Sequence, residues 1–109
     1  FHQDHMHPYA GFEESEIANL KLPDGSIIDD VRKDEWRRRR NTLANLQLLE
    51  GRENERKNAT PLVDWIKVIA NSENAKYMPS DSSFELSHFE DFVDKRQKLM
   101  SDAFKAILL

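Results

Sequence analysis

The stretch from Ser87 to the C-terminus does most to limit what this chain can fold into. Phe89, Phe92, Val93, Arg96, Leu99, Met100, Ala103, Phe104 and Ile107 recur at steps of three and four, the period of one helix face. An apolar stripe of that length has to be covered by something. With 109 residues and a hydrophobic fraction of 39%, the chain has few apolar partners to offer. The expectation is one domain spanning 1–109 with a modest core, and the closing helix as its main beam. Ser87 followed by Glu90 predicts a capping box at the helix start. Arg96 interrupts the stripe, and is expected either to reach back to a carbonyl or carboxylate or to carry its charge out to water.

The rest of the chain reads as short elements that cover this beam. FHQDHMHP suits the end of a strand before Pro8 forces a turn. Phe12 to Leu20 has a weak helical pattern, and LPDGS is a turn in which Gly25 permits a positive φ. Asp29 or Asp30 is expected to cap a helix running to about Leu43. LQLLEG reads as a short strand ended by Gly51, and Arg52 to Asn58 as one or two helical turns. Thr60-Pro61 predicts a helix start, with Leu62, Ile66 and Ile69 buried and Trp65 beside them as far as Ala70. Asn71 to Ser83 is expected to be a polar loop. Trp36 and Trp65 read as packing residues. The fold class that follows is α+β, mainly helical, with one small pair of strands and additional packing helices.

Composition removes several function classes. No apolar run approaches the roughly 20 residues that span a bilayer, so no membrane partner is expected. The absence of cysteine excludes disulfides and thiolate metal sites and fits a cytoplasmic protein. Phe1 is not Met, and the first residues already read like the inside of an element, so the chain is expected to be a C-terminal fragment of a longer protein. The net charge of −4 argues against a generally basic nucleic-acid binder. It hides a contrast, however: Val31 to Lys57 holds nine Lys or Arg against five Asp or Glu, and the remainder seven against fifteen. A positive middle in an acidic frame is compatible with one phosphate-binding face, and equally with a solvated helix of mixed charge.

Three of the four histidines fall in the first eight residues. Asp4-His5 before Pro8, Asn45 at the start of NLQLL and Asn54 in GRENERKN form a constellation with a physical logic. A neutral histidine beside a water is a general base, since its unperturbed pKa is about 6.5. A carboxylate and an amide oxygen are hard ligands suited to Mg2+, which keeps several waters and binds substrate phosphate. One side-chain amide can hydrogen-bond the backbone around the histidine and hold its loop. The competing reading is a chance Asp-His pair, a helix cap and a turn residue.

DHMHP followed by LANLQLLEGRENERKN resembles the HNH, or His-Me finger, nuclease signature. It is similar in particular to the version in the C-terminal part of GmrSD-type restriction proteins. There a D-H-I-x-P-like strand end is followed, after a variable insertion, by an N-L-x-L-L strand, a G-x-x-N turn and a helix. FELSHFEDFVDKRQKLMSDAFKAILL resembles that family's final helix, in which an apolar stripe surrounds an Arg. The resemblance covers nearly the whole chain.

Carried onto these positions, the resemblance implies a two-stranded ββα-metal core that cuts phosphodiester bonds of DNA in defence against foreign DNA. His5 becomes the general base, Asp4 and Asn54 the ligands of one divalent metal, Mg2+ or Mn2+, and Asn45 the residue that positions the base. Arg56, Lys57, His7, Arg37 and Arg40 are the candidate nucleic-acid contacts, although the four side chains of Arg37 to Arg40 fan out around a helix. An upstream nucleotide-dependent module is the implied partner. Two departures stand out. Asn54 occupies a position where many relatives carry His, and the insertion from Tyr9 to Leu43 is unexplained by the motif. The rival reading is a catalytically silent helical DNA- or protein-binding domain that keeps the nuclease fold.

Overall fold

A computed structural model of the chain describes residues 2–49, 59–69 and 77–108. The protein is a mainly helical α+β fold. Strand β1 (His2–His5) pairs antiparallel with β2 (Leu46–Leu49) in the register His2↔Leu49, Gln3↔Leu48, Asp4↔Gln47, His5↔Leu46. The ladder gains one further rung beyond the strands, where Met6 N donates to Asn45 O at 2.7 Å. Pro8, which has no N–H to donate, then turns the chain away.

The forty-residue gap between the strands is filled by structure. A 3-10 turn (Tyr9–Phe12) leads into the short helix α1 (Glu14–Ile17). The chain then doubles back through the predicted LPDGS turn. Leu22 N donates to Ser26 O at 2.7 Å, an isolated bridge joins Lys21 to Ile27, and Gly25 sits at φ 86°. That conformation costs glycine nothing and would strain a residue with a Cβ. Helix α2 (Asp30–Arg39) follows, capped by Asp29, whose Oδ1 accepts from Arg32 N at 2.8 Å. It stops short of the expected Leu43, which belongs to a separate 3-10 turn (Leu43–Asn45) that feeds β2.

Helix α3 (Leu62–Ile69) starts directly behind Pro61, whose carbonyl accepts from Asp64 N and Trp65 N, each at 3.0 Å. It buries Leu62, Trp65 and Ile69, while Ile66 is only partly covered. A 3-10 turn (Leu86–His88) opens α4 (Phe89–Leu108). The expected capping box is absent from this junction. Ser87 lies inside the 3-10 turn with its hydroxyl 3.2 Å from His88 Nδ1, and the Glu90 carboxylate is taken by Arg32 and Trp36. A tertiary ion pair has displaced the local cap.

Phe12, Ile17, Leu22, Ile28, Trp36, Phe89, Phe92 and Val93 form the centre of the core, with Met6 and Ala44 from the strand ends. Phe12, Trp36 and Phe89 meet as a trio, with Phe12–Phe89 edge-on at 4.8 Å and Trp36–Phe89 tilted at 5.2 Å between ring centroids. Such pairs contribute about 1 kcal/mol each beyond the burial of their area. The segment 9–43 thus supplies much of the apolar core and is no peripheral insertion. The expected stripe on α4 is buried only in its first half: Leu99 is 39% exposed and Phe104 61%. A helix of about 30 Å outruns so small a core. Among the described residues no helix is long and apolar enough to cross a membrane.

Candidate active site

Of the candidate residues, Asp4 and His5 lie at the end of β1, and Asn45 lies immediately before β2 beside it. Asp4 and His5 are consecutive on a strand, so their side chains leave opposite faces of the ribbon. Both nevertheless line one open cleft of about 240 Å3, bounded also by Pro8, Tyr9, Ala10 and Ala59. Across the ribbon, Gln47 Nε2 donates to Asp4 Oδ2 at 3.4 Å, as their pairing in register allows. His5 Nε2 lies 2.9 Å from Asn41 Oδ1, and its ring sits 5.6 Å from that of Tyr9.

Asn45 holds the loop that follows His5. Its side chain is fully buried. Its Oδ1 accepts from His7 N at 2.9 Å, and its Nδ2 donates to His7 O at 3.1 Å and to Arg40 O at 3.0 Å. One amide thereby clamps both polar groups of the His7 backbone and ties them to the end of α2. Buried backbone groups need partners, and at a sharp turn after a strand no ladder can supply them. The sequence-level expectation of an amide bonded to the backbone around the histidine matches this geometry, two residues downstream of His5 itself.

Arg96 fixes the other side of the same turn. Its Nη1 donates to the carbonyls of Ala44 at 3.0 Å and Leu46 at 2.9 Å, with Leu43 at 3.5 Å. Of the two expected destinations for this side chain, the backbone carbonyl is the one found. Burial pulls its pKa down to about 10, which leaves the guanidinium charged at neutral pH. Three carbonyl dipoles offset part of the desolvation of that charge.

The nucleic-acid candidates separate into groups. His7 is 2% exposed and packs edge-on against Phe89 and Phe92, at 5.5 and 4.9 Å between centroids. This corrects its assignment as a DNA contact, because an imidazole enclosed by two core rings cannot reach a duplex. Arg37 donates to Phe12 O at 3.2 Å and to Glu14 at 3.3 Å. Lys33 and Arg37 together hold the Glu14 carboxyl below its ordinary range. Arg38 pairs with Glu35, and Arg39 with Asp94 at 2.7 Å. Arg40 differs: among the described residues it has no carboxylate partner, and its guanidinium lies 3.5 Å over the Tyr9 ring. Asn54, Arg56 and Lys57 lie outside the described residues.

Among the described residues no three His, Asp or Glu side chains converge as a metal site. Asp4 is the one carboxylate residue lining this cleft, and a carboxylate oxygen is a hard donor that fits Mg2+ better than a soft metal. Sequence reasoning missed Asn41 and Tyr9. Both lie in the segment between the two halves of the motif, and no periodicity or spacing links them to His5. No family model, no curated protein and no solved structure matches the chain.

Proposed function

We propose that the chain is an HNH-type (His-Me finger) endonuclease domain that hydrolyses phosphodiester bonds of DNA with one divalent metal, Mg2+ or Mn2+. The observation that carries this reading is Asp4 and His5 together on one open cleft, with the following loop clamped by the buried amide of Asn45. In this reading Asp4 and Asn54 hold the ion. Mg2+ retains most of its waters, so one carboxylate, one amide oxygen and substrate phosphate are enough ligands. When bound, the ion supplies stabilisation of the charge that builds on the phosphate being cut.

The chain's own part is positioning and proton transfer. His5 takes a proton from a water whose oxygen forms the new bond to phosphorus as the bond to the 3′ oxygen breaks. Asn45 holds the loop after the base. Arg40, stacked on Tyr9 beside His5, is the cation of the Arg37–Arg40 run best disposed to a strand lying across the cleft. Arg37, Arg56 and Lys57 are the further candidates for phosphate contacts. Affinity from such contacts falls steeply with salt. An upstream nucleotide-dependent module of the same protein, a cytoplasmic location and a role against foreign DNA complete the proposal.

Plasmid nicking with Mg2+, by the chain alone and together with its upstream module, tests it. His5→Ala is expected to slow cutting by about 10^2 to 10^4. Undiminished cutting by that variant would overturn the assignment of the base. DNA binding with no cutting in any condition would favour the silent binding domain instead.

A further inference from the structure

The two nitrogens of the His5 ring are not equivalent, and the residue that distinguishes them lies outside the motif. His5 Nε2 is 2.9 Å from the amide oxygen of Asn41. A carbonyl oxygen only accepts, so in the neutral ring the proton belongs on Nε2 and the lone pair on Nδ1. Among the described residues Nδ1 has no hydrogen-bond partner, and His5 lines the cleft.

The backbone on both sides of Asn41 is pinned. Asn41 N donates to Arg38 O at 3.4 Å, and Thr42 returns to Arg39 O through its N at 3.1 Å and its Oγ1 at 2.7 Å. Arg40 O, one residue earlier, accepts from the Asn45 amide at 3.0 Å. The same buried amide that clamps the His7 backbone therefore also anchors the segment that presents Asn41. Tyr9 also stands against the ring, 5.6 Å away between centroids and tilted by 58°. The end of α2 is thus built into the site, which gives the 9–43 segment a role beyond filling the core.

We propose that Asn41 is a positioning residue: it holds His5 in the Nε2–H tautomer and so makes Nδ1 the basic atom at the cleft. The role of that atom in taking a proton from water rests on the nuclease reading; the tautomer does not. When Nδ1 takes the proton, the Nε2–H bond to Asn41 persists and the charge on the ring strengthens it. Asn41 stabilises the protonated base without exchanging a proton itself.

The test is an NMR assignment of which ring nitrogen of neutral His5 carries the proton, in the whole chain and in Asn41→Ala and Asn41→Asp, at one pH well above the ordinary histidine range, with plasmid nicking in Mg2+ measured alongside. The Asn41 side chain is exposed, so both variants are expected to keep the fold. The wild-type neutral ring is expected to carry its proton on Nε2, with that N–H signal lost or broadened in Asn41→Ala. Asn41→Asp, whose carboxylate oxygen still accepts from Nε2–H, is expected to keep it. A proton on Nδ1 in the wild type, or ring signals in Asn41→Ala identical to those of the wild type, would overturn the proposal. The expected tautomers with no nicking by any of the three would leave Asn41 as the positioning residue and remove the nuclease reading.

Discussion

Helices α2 and α4 lie against each other and are held by opposite means. The first half of α4 buries Phe89, Phe92 and Val93 from a single stripe. Helix α2 buries only Trp36, and the rest of it is docked by charge: Arg32 to Glu90, Lys33 and Arg37 to Glu14, Arg39 to Asp94. Apolar burial is non-directional and holds α4 wherever the stripe is covered. Ion pairs between exposed groups add little energy, but they set where a helix points. That orientation matters here, because the end of α2 carries Arg40 over Tyr9 and Asn41 to His5, two residues that line the cleft. Of these two helices, the apolar one buries more and the charged one is set in its direction by its ion pairs.

The sharpest way to break this contrast is on the apolar side. Phe92 is fully buried and touches His7 and Phe84 edge-on, with centroids at 4.9 and 6.2 Å. Phe92→Ala is expected to cost about 3–5 kcal/mol. For a chain whose whole stability is of the order of 5–15 kcal/mol, that leaves a marginal fold. A urea melt reads the loss directly. A midpoint within experimental error of the wild type would mean that α4 is not the beam.

The charged side should fail more gently and with a pH signature. Glu90 accepts from Arg32 Nε at 3.0 Å and Nη2 at 2.6 Å, and from Trp36 Nε1 at 2.8 Å. The Arg32 hydrogen bonds, then that of Trp36, hold its carboxyl below the usual glutamate range. A depressed carboxylate stabilises the fold above its unfolded pKa, near 4.3, and that contribution disappears as pH falls through the lower folded value. Glu90→Gln is expected to cost about 1 kcal/mol at neutral pH, kept small because the carboxylate is 37% exposed and screened by water. The difference between the two proteins should shrink to nothing in acid. Thermal melts between neutral pH and about 3 check this. A gap that widens on acidification would contradict the assignment.

The same contrast decides what could be read in advance. Signals written in one or two residues were legible: the Gly25 turn, a cap at Asp29 or Asp30, Pro61 before a helix, Pro8 after a strand. So was the pairing of β1 with β2; for Arg96 the sequence left a carbonyl, a carboxylate or water open, and the carbonyls of Ala44 and Leu46 are what it meets. What failed was whatever depended on a distant partner. Ser87 and Glu90 spell a capping box, but Arg32 and Trp36, more than fifty residues away, compete for the carboxylate and win. His7 was a candidate DNA contact, but Phe89 and Phe92 enclose it. Asn41 meets His5 only because Asn45 and Arg96 fix the turn between α2 and β2. No local pattern announces that. Asn54, Arg56 and Lys57, the remaining candidate site residues, fall outside the described residues.

The smallest expected effect sharpens the comparison within α4 itself. Its stripe continues past Arg96 with undiminished period, so sequence alone assigns Phe104 to the core as firmly as Phe92. In the fold Phe104 is 61% exposed, beside a cleft it shares with Leu43, Ala44 and Met100. A side chain that stays largely in water on folding gains little from burial, so Phe104→Ser is expected to change stability by no more than about 0.5 kcal/mol. Equal losses for Phe104→Ser and Phe92→Ala in urea melts would show that the whole stripe is covered, and would remove the distinction between the two halves of the helix. A near-zero loss would place the boundary of the core at Arg96, where the helix passes from packing against the fold to carrying an apolar face out of it.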